Sequence, residues 1–68
     1  MMMELGQRIK QAREYANLTQ KELAVKVGLS QTAIHKLESG RSKASRRAVP
    51  IAIVCRVSPL WLETGKGD

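Results

Sequence analysis

Apolar residues along this chain recur three and four positions apart rather than in alternation. Leu5, Ile9, Ala12 and Ala16 fall on one stripe, predicting a helix from about Met3 to Ala16 with Arg8, Lys10 and Glu14 off that stripe. Asn17 ends it. Thr19 followed by Glu22 is a capping box that opens a second helix, with Leu23, Ala24 and Val27 on its inner face and Gly28 as its left-handed stop. Ser30 caps a third helix from Gln31 to about Leu37, whose buried edge is Ile34 and Leu37, and Gly40 closes it. A fourth spans roughly Ala48 to Cys55, where Pro50 is tolerable only in the first turn. In the fifth, Ser58 is the N-cap, Pro59 the first helical residue and Gly65 the stop. Strand signals are weak: the chain has no Phe, one Tyr and one Trp. The pattern predicts a compact all-α domain of five short helices.

The second and third helices are joined by "GLS", which leaves almost no room for a loop. A glycine stop this close to the next cap makes two helices cross steeply, with Ala24 at their closest approach and Leu29 turned inward. Ile34 and Leu37 then pack back on Leu23 and Val27. The third helix is held by one apolar edge, and Gln31, Thr32, Ala33, His35 and Lys36 are left off it. That polar face is either a plain solvated surface or a reading surface.

Sixty-eight residues make one domain, near the lower size limit for folding without a staple. One cysteine cannot form an internal disulfide, and one His with one Cys cannot make a zinc site. Cys55 lies in an apolar run and reads as a small buried hydrophobe. "MMMELGQRIK" lacks the apolar core of a signal peptide, and Val49 to Cys55 is too short to span a bilayer. The expectation is a soluble cytoplasmic protein without membrane contact.

Charge narrows the partners. Twelve Lys and Arg stand against six Asp and Glu, a net charge of +6. Lys36, Arg41, Lys43, Arg46 and Arg47 cluster with a single acid, Glu38. Such a cluster either keeps a small protein soluble or meets nucleic acid, and its position in a loop beside a helix favours nucleic acid. The two aromatics lie outside it, which disfavours a membrane surface. The carboxylates, His35 and Cys55 are scattered with no nucleophile–base–orienter spacing, so no enzyme, cofactor, metal or small-molecule ligand is expected.

Gln20 to Ser39 resembles the helix-turn-helix of the Cro and C1-type lambdoid phage repressors. Glutamine opens the second helix, alanine comes four later, glycine four after that, then Ile34 and Leu37. Arg13, the capping box, "ESG", the basic loop and "SPLWLETGKG" follow in the order seen in the N-terminal domains of these repressors, that of phage 434 among them. The resemblance implies a lambda-repressor-like domain that binds double-stranded DNA as a homodimer on a pseudo-palindromic operator, in the nucleoid of a bacterial or phage-infected cell. The third helix would lie in the major groove. Gln31, Thr32 and Lys36 would meet base edges, and Gln20, Ser30, Arg41, Lys43 and Arg46 would meet phosphates. Arg13 and Glu38 would form a largely buried ion pair. Pro59 and Leu60 are the dimer candidates, with Trp61 assigned to the core. His35 is left as a surface residue.

Two departures stand out. Relatives have glycine where this chain has Arg56, so the fourth helix must end differently or hold arginine at a strained φ. Ser45 and Arg47 replace the family's proline and large apolar residue in the basic loop. "TGKGD" resembles the start of a linker to a self-cleaving peptidase domain, so the chain is read either as complete or, with slight preference, as the N-terminal domain of a longer repressor. Two alternatives use the same helix-turn-helix: an antitoxin, which needs a further toxin-binding segment, and the controller protein of a restriction-modification operon.

Overall fold

The computed structural model describes residues 4–40 and 47–66. Among them five helices follow one another: α1 (Leu5–Tyr15), α2 (Gln20–Val27), α3 (Gln31–Glu38), α4 (Ala48–Cys55) and α5 (Pro59–Thr64). α3 packs on α1 and α2, while α4 packs on α1, α2 and α5. The shared core is Ile9 and Ala12 of α1, Leu23 and Ala24 of α2, Ile34 and Leu37 of α3, Ala48, Ile51, Ala52 and Cys55 of α4, and Leu62 of α5. Burial pushes the Cys55 thiol up from its ordinary range, so it is a neutral core group. Trp61, Leu18, Leu29 and Val27 cover the core's edge.

The capping expectations translate into hydrogen bonds. Thr19 Oγ1 accepts from Glu22 N–H at 3.1 Å, and Thr19 N–H donates to Glu22 Oε1 at 2.8 Å. Those bonds from Thr19 hold the Glu22 carboxyl below its usual range. Ser30 Oγ accepts from Ala33 N–H, and Ser58 Oγ from Trp61 N–H. α2 ends at Gly28, φ 75°, where Leu29 N–H returns to Ala24 O at 2.9 Å. A Cβ at Gly28 would meet nothing within 4 Å, so the glycine is there for the sign of φ and not for space.

α4 ends by the same backbone geometry without a glycine. Arg56 takes φ 59° and ψ 43°, and Val57 N–H donates to Ala52 O at 3.0 Å. An L-residue in this region costs about 1 kcal/mol over glycine, and the surrounding packing sustains it. Asn17, φ 60°, does the same after α1 at lower cost, since Asn tolerates this conformation.

One feature of α1 departs from the sequence expectation, and a second lies outside it. Arg8, placed off the apolar stripe, is 6% exposed. Its Nε donates to Leu62 O at 2.7 Å and its Nη2 to Glu63 O at 2.8 Å, so the first helix satisfies the last carbonyls of the fifth. By spacing it sits on the stripe, three after Leu5 and four before Ala12; its charge argued otherwise. Gly6 is the second. A Cβ there would stand 2.5 Å from Leu37 O and 2.7 Å from Glu38 O, so glycine lets α1 lie directly on the end of the α3 backbone.

That approach brings Arg13 to Glu38. Arg13 Nε donates to Glu38 Oε2 at 2.6 Å and Nη2 to Oε1 at 3.2 Å, with the side chains 13% and 5% exposed. Arg13 Nη1 also donates to Leu18 O at 2.9 Å, fixing the turn before α2.

Four substitutions test this frame by chemical denaturation. Helix propensity alone makes Gly6→Ala stabilising by about 1 kcal/mol; the backbone clash makes it destabilising by about 2–3 kcal/mol. Arg8→Met keeps the packed stem but strips the donors from two carbonyls, and should cost about 2 kcal/mol. Arg13→Met strands a nearly buried carboxylate and should cost about 3 kcal/mol. Adding Glu38→Gln to it should then cost less than the two single changes summed.

Candidate nucleic-acid interface

α3 buries Ile34 and Leu37, half-buries Ala33 and Glu38, and exposes Gln31, Thr32, His35 and Lys36. At about 100° per residue, Gln31 and His35 lie one above the other, as do Thr32 and Lys36. Together they form one polar strip with an amide, a hydroxyl, an imidazole and an ammonium. The strip opposes the edge that grips α1 and α2, so the packing that fixes the helix also fixes which way the strip looks. Ser30 sits at its head as N-cap, with its hydroxyl already accepting from Ala33.

The start of α2 stands beside the end of α3. Gln20 Nε2 donates to Glu38 Oε1 at 3.1 Å, a bond that sequence spacing gave no sign of. One carboxylate therefore accepts from Arg13 of α1 and Gln20 of α2 while belonging to α3. It leaves the Gln20 side chain half-buried and held in one place. The capping box employs the N–H groups of Thr19 and Glu22, so an anion at this helix start would be left with those of Gln20 and Lys21.

The other expected positions divide. Arg41, Lys43 and Arg46 lie outside the described residues. Arg47 is exposed at the N-cap of α4. Pro59 and Leu60 are exposed on the first turn of α5, whereas Trp61 beside them packs on the core. No group of three metal-ligating side chains exists among the described residues, and none of their helices is long and apolar enough to cross a membrane.

A helix-turn-helix domain model matches residues 4–60. The HTH-type transcriptional regulator PrtR of Pseudomonas aeruginosa is 48% identical over 60 residues, covering 88% of this chain. The chain spans only 23% of that regulator's length. The P22 c2 repressor, solved in complex with a synthetic operator, superposes with a TM-score of 0.83 at 25% identity over 94% of this chain and 98% of that one. The restriction-modification controller protein C.AhdI of Aeromonas hydrophila gives 0.78 at 27% identity over 85% and 89%. Five helices in this order, the cap–glycine–cap junction between α2 and α3, and the matched span agree: the chain belongs to the helix-turn-helix domain family.

Proposed function

We propose that this domain binds double-stranded DNA in a sequence-specific manner and acts as a phage-type repressor of the 434 class. It would bind a pseudo-palindromic operator as a homodimer with α3 in the major groove. The observation that carries this reading is the polar strip of α3, exposed along its length while the opposite edge is locked into the core. The net charge of +6 supplies the attraction to a polyanion. PrtR, similar in sequence over this span, is a transcriptional regulator, and the P22 c2 repressor, similar in fold, is solved in complex with a synthetic operator.

Within this reading Gln31 at the head of α3 pairs through its amide with adenine N6 and N7. Lys36 donates to guanine O6 or N7, and Thr32 offers its methyl to thymine. Gln20, held by Glu38, turns its remaining amide proton to a phosphate, and Ser30 gives its hydroxyl proton to another. Arg41, Lys43 and Arg46 neutralise further phosphates without reading sequence. Pro59 and Leu60, apolar and exposed, form the dimer contact, weak in solution and tightened on DNA. Such a regulator works in the cytoplasm, on the nucleoid. The likeness to C.AhdI supports a second reading, the controller of a restriction-modification operon, which uses the same contacts.

Selection from random duplex DNA at about 150 mM salt, where non-specific binding is weakened, tests the proposal. The expected product is a two-fold symmetric site with half-sites about ten base pairs apart. Gln31→Ala should relax one position in each half by about 1–3 kcal/mol. Lys43→Gln should instead weaken every sequence alike and lower the salt slope by about one phosphate. Recovery of only unrelated sequences would overturn the repressor reading.

A further inference from the structure

All eight residues of α4, "AVPIAIVC", are apolar, the composition of a helix covered on every side. Among the described residues the packing covers it on one side, burying Ala48, Ile51, Ala52 and Cys55. Val49 and Ile53, four apart, point outward with Ile53 67% exposed, and Arg56 continues the same face three residues on. Beside this face a groove runs between α4 and the C-terminal ends of α1 and α2. It is lined by Tyr15, Leu18, Ile53 and Val54, with Lys26 and Arg56 at its margins. Tyr15 is 74% exposed. Arg56 also borders a neighbouring hollow against Trp61.

Three observations on this surface converge. Among the described residues, its lining mixes the apolar side chains of Leu18, Ile53 and Val54 with polar groups, its charged members Lys26 and Arg56 are cations, and no carboxylate belongs to it. One of those cations, Arg56, is held in the left-handed conformation at a helix stop where glycine would be unstrained. No residue of α3 lines the groove among the described residues.

We propose that this groove docks a segment of a partner protein that carries apolar side chains flanked by carboxylates. Its apolar residues cover Ile53 and Tyr15, and its carboxylates meet Lys26 and Arg56. Charge selects the occupant. An uncharged apolar segment would leave the two cations facing it without partners, and a basic one would be repelled. Because the groove does not include α3, occupant and DNA can be held together, which makes this a surface for recruitment or control of the DNA-bound domain.

The test is an amide-resolved NMR titration of the 68-residue chain with a synthetic helical peptide of about 15 residues, Leu at three- and four-residue spacing and Glu elsewhere. The same peptide with Lys in place of Glu is the control. Saturable shifts at Tyr15, Lys26, Ile53 and Arg56 are expected with the Glu peptide alone. Affinity should fall about tenfold in Ile53→Ser and in Arg56→Gly. Both variants should keep the fold, since the Ile53 side chain is in solvent and glycine suits the Arg56 backbone. Shifts confined to α3 and Gln20, an equal response to the Lys peptide, or no saturation would overturn the proposal. So would concentration-dependent shifts at Val49 and Ile53 in the protein alone, which would make a second copy the occupant.

Discussion

The carboxylate of Glu38 is the point at which three helices meet. It terminates α3, takes two donors from Arg13 of α1 and a third from Gln20 of α2. An ion pair this little exposed adds less to stability than its Coulomb attraction suggests, because both charges have left water. What it does supply is direction. A guanidinium fork accepts a carboxylate in one plane, so α1 and α3 cannot slide or rotate past each other without breaking two bonds at once. The orientation of the exposed strip on α3 follows from that, and so does the position of Gln20.

The pair can form only because α1 lies on the α3 backbone, and Gly6 permits that approach. Arg8 serves the same helix at its other contact, closing the end of α5 with bonds to Leu62 and Glu63. α1 is therefore the spine of the domain, one arginine turned to the helix-turn-helix and another to the C-terminal helix. In a chain this small the apolar core alone leaves little margin, and these charge-assisted bonds tie down helix ends that would otherwise fray.

The surfaces left over have different characters. The α3 strip is polar and its backing is rigid, which suits reading hydrogen-bonding edges in a groove. The outer side of α4 is apolar and bordered by cations, which suits protein. The proposed DNA contact and the proposed docking site thus draw on different surfaces of one small domain.

Much of this was legible in the sequence because it is local. Caps at Thr19, Ser30 and Ser58, the stop at Gly28, and Pro59 at a helix start are decided by residues within one turn of each other, and α2 to α5 fall within a residue of their expected bounds. α1 starts and stops slightly inside its expected span. The left-handed Arg56 was one of the two alternatives that the missing glycine left open, and the structure takes it. Arg8 and Gly6 were not legible, for a common reason. A charged residue on an apolar stripe is buried only if acceptors wait for it, and a helical glycine is needed for space only if another backbone arrives there. Leu62, Glu63, Leu37 and Glu38 lie far along the chain from both, and nothing in the local pattern announces them. Sequence by itself determined where helices begin, end and turn an apolar side inward. Only the tertiary structure decided which long-range carbonyls and carboxylates those helices would meet, because desolvation and hydrogen-bond geometry are set when the elements pack.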